Sequence, residues 1–109
     1  MVIDLIMSGL RSRVVLITGA VSCIGRATAL SFAQSGSKVA LIAMKKEPIE
    51  DHEVLHTSKK LEKISHECKN LGCADIHTGQ YDLTKREGCR AALEETVERF
   101  RGIVILLNR

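Results

Sequence analysis

The chain has 109 residues, 45% hydrophobic and 27% charged, which bounds it at one globular domain and excludes a disordered segment. Aromatic residues are 3% of the total (Phe32, Tyr81 and Phe100) and Trp is absent, so there is no stacking surface for single-stranded nucleic acid. The net charge is only +3, and residues 1–44 carry all of it: Arg11, Arg13, Arg26 and Lys38 stand against Asp4 alone. That excess is too small for a dedicated nucleic-acid binder but suits an anionic ligand held near the first third of the chain.

The four cysteines, Cys23, Cys68, Cys73 and Cys89, form no C-x-x-C pair. The apolar stretch Met1–Met7 is broken by Asp4, has no basic segment before it and is too short to span a membrane. Reduced thiols and a cytoplasmic location are therefore expected. Residues 1–12 read as an N-terminal extension ahead of a domain covering 13–109.

In chain order, Val14-Val15-Leu16-Ile17 is a continuous β-branched run ending at Thr18-Gly19, the pattern of a strand buried on both faces. A helical segment rich in small residues follows from Ile24 to Gly36, where the glycine suits the position just past a helix end. Val39–Ala43 is a second buried strand, and Lys45 to Thr57 a polar stretch. Leu61, Ile64, Cys68 and Leu71 then line one face of a helix closed by Gly72. A weaker strand covers about Asp75–Gln80. Thr84-Lys85-Arg86-Glu87 has the form of a capping box, and Cys89, Leu93, Thr96, Val97 and Phe100 make the apolar stripe of the helix behind it. Ile103–Leu107 is the last strand. The order β-α-β-α-β-α-β implies an α/β fold with parallel strands and right-handed crossovers, the first half and one strand more of a doubly wound nucleotide-binding sheet.

The chemistry concentrates in Thr18-Gly19-Ala20-Val21-Ser22-Cys23-Ile24-Gly25, between a strand and a helix. Glycines there let the backbone turn tightly, and the N–H groups and dipole of the helix favour a phosphate. The run resembles the T-G-x-x-x-G-x-G turn of the short-chain dehydrogenase/reductase family, with Cys23 at the middle glycine. A side chain at that position costs about 1 kcal/mol or more if φ is positive. Tyr81-Asp82-Leu83-Thr84 resembles the family's acidic step after the third strand, and Ile105-Leu106-Leu107-Asn108 the strand entering its Asn-Asn-Ala-Gly motif. The resemblance runs from about Arg13 onward, with an insertion after the second strand.

It implies a Rossmann-type, truncated domain and an NAD(P)-dependent oxidoreductase moving hydride between nicotinamide and a carbonyl or alcohol. Gly19 would make the tight turn, and Gly25 would allow close packing. Ser22, Cys23 and Ile24 would lie beside the phosphates, Asp82 and Leu83 near the adenine, and Asn108 near the ribose. At the end of the second strand, Ala43-Met44-Lys45-Lys46 lacks the acid that binds an NAD ribose, and Lys45 and Lys46 would pair with a 2′-phosphate. NADP is thus the expected cofactor, with NAD the other member of the pair. The small carbonyl or alcohol substrate would belong to a longer parent chain.

The family's catalytic Ser and its Tyr-x-x-x-Lys on a later helix have no counterpart here, so the chain alone should be silent. Tyr81 and Lys85 do have that spacing, but they straddle a strand end and a helix start and occupy the adenine step. His52 and His56, with His66 and Cys68 downstream, match no strong zinc spacing and lie in a stretch that reads as a solvated loop, so no metal is expected. Cys68 and Cys89 read as core residues. The alternative function is a non-catalytic nucleotide-binding or protein-interaction module, associating through its exposed last strand.

Overall fold

A computed structural model describes residues 13–45, 50–102 and 105–107. Four strands, β1 (Val14–Thr18), β2 (Lys38–Met44), β3 (Asp75–Tyr81) and β4 (Ile105–Leu107), alternate with helices α1 (Cys23–Gln34), α2 (Asp51–Asn70) and α3 (Arg86–Phe100). All pairings are parallel and the strand order is β3-β2-β1-β4. The chain therefore steps outward from β1 to β3 and returns through α3 to the other side of β1. This reversal places a crevice at the carboxyl ends of β1 and β4, where open α/β sheets bind their ligands.

The continuous apolar runs of β1 and β2 are explained by burial on both faces. Val15, Ile17, Val39, Leu41 and Ala43 point to one side, onto Ala29 and Ala33 of α1 and Leu61, Ile64 and Cys68 of α2. Val14, Leu16, Ala40 and Ile42 point to the other, onto Ala92 and Phe100 of α3. Removing each large aliphatic side chain from water stabilises the fold by about 1.5–3 kcal/mol. Burial also pushes the Cys68 thiol up to about 12, so this cysteine is a small protonated core residue. The four cysteines are free thiols.

The last turns of α1 and α2 close as their glycines predict. Gly36 follows the Ser35 cap at φ 83°, and Gly72 follows Leu71 at φ 99°. Other expectations shift. Residues 51–57 belong to α2, which is 20 residues long, because Asp51 and Glu53 put acidic groups into a first turn that the helix dipole favours. Leu71 lies past the helix end and is exposed. The Thr84 capping box does not form, since the Thr84 hydroxyl donates to the Asp82 carboxylate and α3 starts from a Lys85 cap. The inward stripe of α3 is Ala92, Thr96 and Phe100, whereas Cys89, Leu93 and Val97 are exposed. Small Ala92 brings α3 onto the sheet, and the larger side chains rotate to the rim. Residues 103–104, where the last strand was expected to begin, fall outside the described residues.

Two features of the α3 side carry predictions. His77 of β3 packs edge-on against Phe100, with ring centroids 6.5 Å apart, and its Nε2 is buried without a hydrogen-bond partner. Burial pushes its pKa below the ordinary 6.5, and Arg99 adds to this while Glu95 and Asp75 oppose it. The neutral ring is the folded form, so stability should fall as pH drops through 6.5 and His77 becomes protonated in the unfolded chain first. Thermal melts between pH 7.5 and 5 should show this loss, and His77→Leu should flatten it. At the end of α3, Arg101 adopts φ 61° and is the one non-glycine residue with positive φ among those described. Arg101→Gly should raise stability by about 1 kcal/mol in denaturant unfolding.

Candidate functional site

The turn after β1 is built from the inside outward. Gly19 takes φ 66°, a conformation that favours glycine, and Ala20 behind it is fully buried, its N–H donating to the Ile42 carbonyl at 3.2 Å. Gly25 is buried one helical turn on. A Cβ on Gly25 would stand 2.0 Å from the Gly19 carbonyl oxygen, so α1 comes this close to β1 only because the side chain is missing. Ser22 caps the helix: its hydroxyl accepts from the Gly25 N–H at 3.0 Å and donates to the Gly19 carbonyl at 2.7 Å. Such a cap contributes about 1 kcal/mol. The hydroxyl is thus committed to holding the turn.

With the Ser22 N–H bonded to Gly19 at 3.1 Å and the Arg26 N–H to Ser22 at 2.9 Å, the N–H groups of Cys23 and Ile24 are left open in the first turn of the helix. Neither has a partner among the described residues, and both lie at the positive end of a 12-residue helix. Cys23 is the first residue of α1 and has no positive φ, so the strain anticipated for a non-glycine residue there does not arise. Cys23 and Ile24 both expose their side chains. Arg26 reaches from the next position to an ion pair with Glu67, tying α1 to α2.

The acidic step lies across the carboxyl end of the sheet. Asp82 follows β3, and its Oδ1 accepts from the Thr84 hydroxyl and from the Thr84 N–H at 3.0 Å. Those two bonds hold its carboxyl below the usual carboxylate range, with Lys85 Nζ at 3.9 Å from Oδ2. Leu83 points its N–H at the Met44 thioether, 3.3 Å away, which is a weak acceptor. Gly88 in the first turn of α3 packs on the Asp82 carbonyl so closely that a Cβ would stand 1.9 Å from the oxygen. Met44 and Gly88 escaped the sequence. A glycine in a helical pattern four residues past a cap signal was the available cue for the second.

Lys45 leaves β2 with its N–H bonded to the Tyr81 carbonyl at 2.9 Å, so it stands beside the acidic step. It lines an open pocket of about 400 Å³ together with Met44, Gln80 and the first turns of α2, including Glu50, His52, Glu53 and His56. Tyr81 packs its ring over Gly79 and the α3-side core, and Lys85 reaches Asp82. Gly19, Ser22, Cys23, Ile24 and Gly25 are thus gathered in one turn, and Lys45, Asp82 and Leu83 at the ends of β2 and β3. Lys46 and Asn108 lie outside the described residues. No helix among the described residues is long and apolar enough to cross a membrane.

Comparison with known proteins agrees with this architecture. The chain is 32% identical over 96 residues to 11-beta-hydroxysteroid dehydrogenase-like 2 of Arabidopsis thaliana, covering 88% of this chain and 27% of that protein. It is 33% identical over 99 residues to general stress protein 39 of Bacillus subtilis, covering 91% and 30%. Among solved structures, an NADH-dependent reductase complexed with NAD superposes with a TM-score of 0.74 at 29% identity, over 94% of this chain and 37% of that one. The chain therefore spans about a quarter to a third of the curated relatives it matches. The family model for short chain dehydrogenases matches residues 13–109, and the chain belongs to that family.

Proposed function

We propose that residues 13–109 form the cofactor-binding part of an NAD(P)-dependent oxidoreductase, with the dinucleotide phosphates over the Gly19–Gly25 turn. The observation that carries this reading is the pair of open N–H groups, Cys23 and Ile24, at a helix end brought against β1 by a glycine-on-carbonyl contact. The residues fit the group. The Cys23 and Ile24 amides would hold a pyrophosphate, Ser22 and Gly25 keep them aimed, and Asp82 and Leu83 would face the adenine. There a ring nitrogen is a better acceptor for the Leu83 N–H than the Met44 thioether. Asn108 would reach the ribose. Bound nicotinamide supplies the hydride acceptor or donor for a carbonyl or alcohol, and the catalytic Ser and Tyr-x-x-x-Lys would come from outside this span, so the 109-residue chain alone turns nothing over.

Lys45 at the end of β2 supports NADP, through a charged contact to the 2′-phosphate. A second reading, NAD, draws on Glu50 and Glu53, whose carboxylates line the same pocket and oppose a phosphate. The relative solved with NAD is consistent with either, since it shows what that protein binds.

Calorimetric titration of the chain should give micromolar binding of NADPH and weaker binding of NADH, and Lys45→Ala should remove most of the difference. Equal affinities in the unaltered chain would favour the NAD reading, and no binding of either would sink the proposal. Gly25→Ala should destabilise the fold by about 1–3 kcal/mol in denaturant unfolding, because the new methyl must displace the Gly19 carbonyl, and should abolish nucleotide binding.

A further inference from the structure

The start of α2 holds two histidines that dinucleotide binding does not use. Because α2 begins at Asp51, His52 and His56 are one turn apart on a single helical face, with Cβ atoms about 5–6 Å apart. The same spacing in a loop would bring nothing together. In this helix both imidazoles line one open pocket, flanked by Glu50 and Glu53. One ligand atom each from Glu50, His52 and Glu53 already lie within 4.8 Å of one another, and His52 Nε2 is 3.2 Å from Glu50 Oε2.

We propose that His52 and His56, completed by Glu53 and Glu50, form a surface site for Zn(II). Two imidazole nitrogens and two carboxylate oxygens are a donor set that borderline-soft divalent metals take, and these four donors fill a tetrahedral Zn(II). Tetrahedral donors at about 2.1 Å from zinc stand about 3.4 Å apart. All four side chains are exposed, and His56 joins the three already gathered by changing rotamer. The local charge permits it: Glu50, Asp51 and Glu53 carry three negative charges, against Lys45 and the roughly half positive charge of the helix start.

The test needs no nucleotide, so its outcome is independent of the proposed cofactor site. The full chain carrying Cys23→Ser and Cys89→Ser, which removes the two exposed thiols, is titrated with zinc chloride in a non-coordinating buffer. One zinc per chain with micromolar affinity is expected, weakened about tenfold or more by His52→Ala and by His56→Ala separately, and less by Glu53→Gln. Both histidines are exposed and alanine is the better helix former, so circular dichroism should show α2 intact in each variant. Absence of a binding heat, or binding that survives the loss of either histidine, overturns the site.

Discussion

The contact on which the molecule turns is that of Gly25 with the Gly19 carbonyl. It sets the distance between α1 and β1, and through that distance the direction in which the open amides of Cys23 and Ile24 point. The sheet order places this turn where the chain reverses around β1, so the closest helix–strand approach coincides with the crevice. Ser22 then stabilises the arrangement from the solvent side with a hydroxyl that both donates and accepts. A residue with a side chain at position 25 would push the helix outward. Burial behind Ala20 and the aim of the amides would then be lost together.

A second glycine repeats the device on the other face of the sheet. Gly88 sits against the Asp82 carbonyl as tightly as Gly25 sits against Gly19, and so draws the start of α3 onto the loop after β3. Asp82 is locked there by both Thr84 donors, which leaves the Leu83 N–H facing the Met44 thioether. The two ends of the candidate site, phosphate turn and acidic step, are each held by a helix whose first turn lacks a side chain.

Much of this was legible in the sequence because the signals were local. Double-sided burial of β1 and β2 is written in their unbroken apolar runs, and the helix ends in Gly36 and Gly72. The turn is written in its glycines. What escaped was relational. Whether Thr84 caps α3 depends on a competing carboxylate, Asp82, that takes its hydroxyl. Which face of α3 turns inward depends on how closely the sheet lets it approach, and small Ala92 wins over Leu93. Polar residues 51–57 carry no apolar periodicity, yet they extend α2 by propensity and dipole once Leu61, Ile64 and Cys68 anchor the rest of it. Cys23 stands where the family turn has a glycine, yet its backbone is helical and tolerates a side chain.

That extension of α2 creates a conflict within the site. Asp51 and Glu53 favour the helix start, where the dipole stabilises each by about 0.3–1 kcal/mol at the surface. Glu53 and the neighbouring Glu50 also line the pocket that Lys45 shares, so the charges that suit the helix oppose a second phosphate beside the lysine. Those exposed charges are screened beyond about 8–10 Å, so the conflict is strongest within this pocket. In the proposed cofactor site, discrimination between the two dinucleotides would therefore fall to a few groups at one end, and grip on the pyrophosphate to backbone amides at the other. A cation held by Glu50, His52, Glu53 and His56 would neutralise the opposing carboxylates and leave Lys45 unopposed.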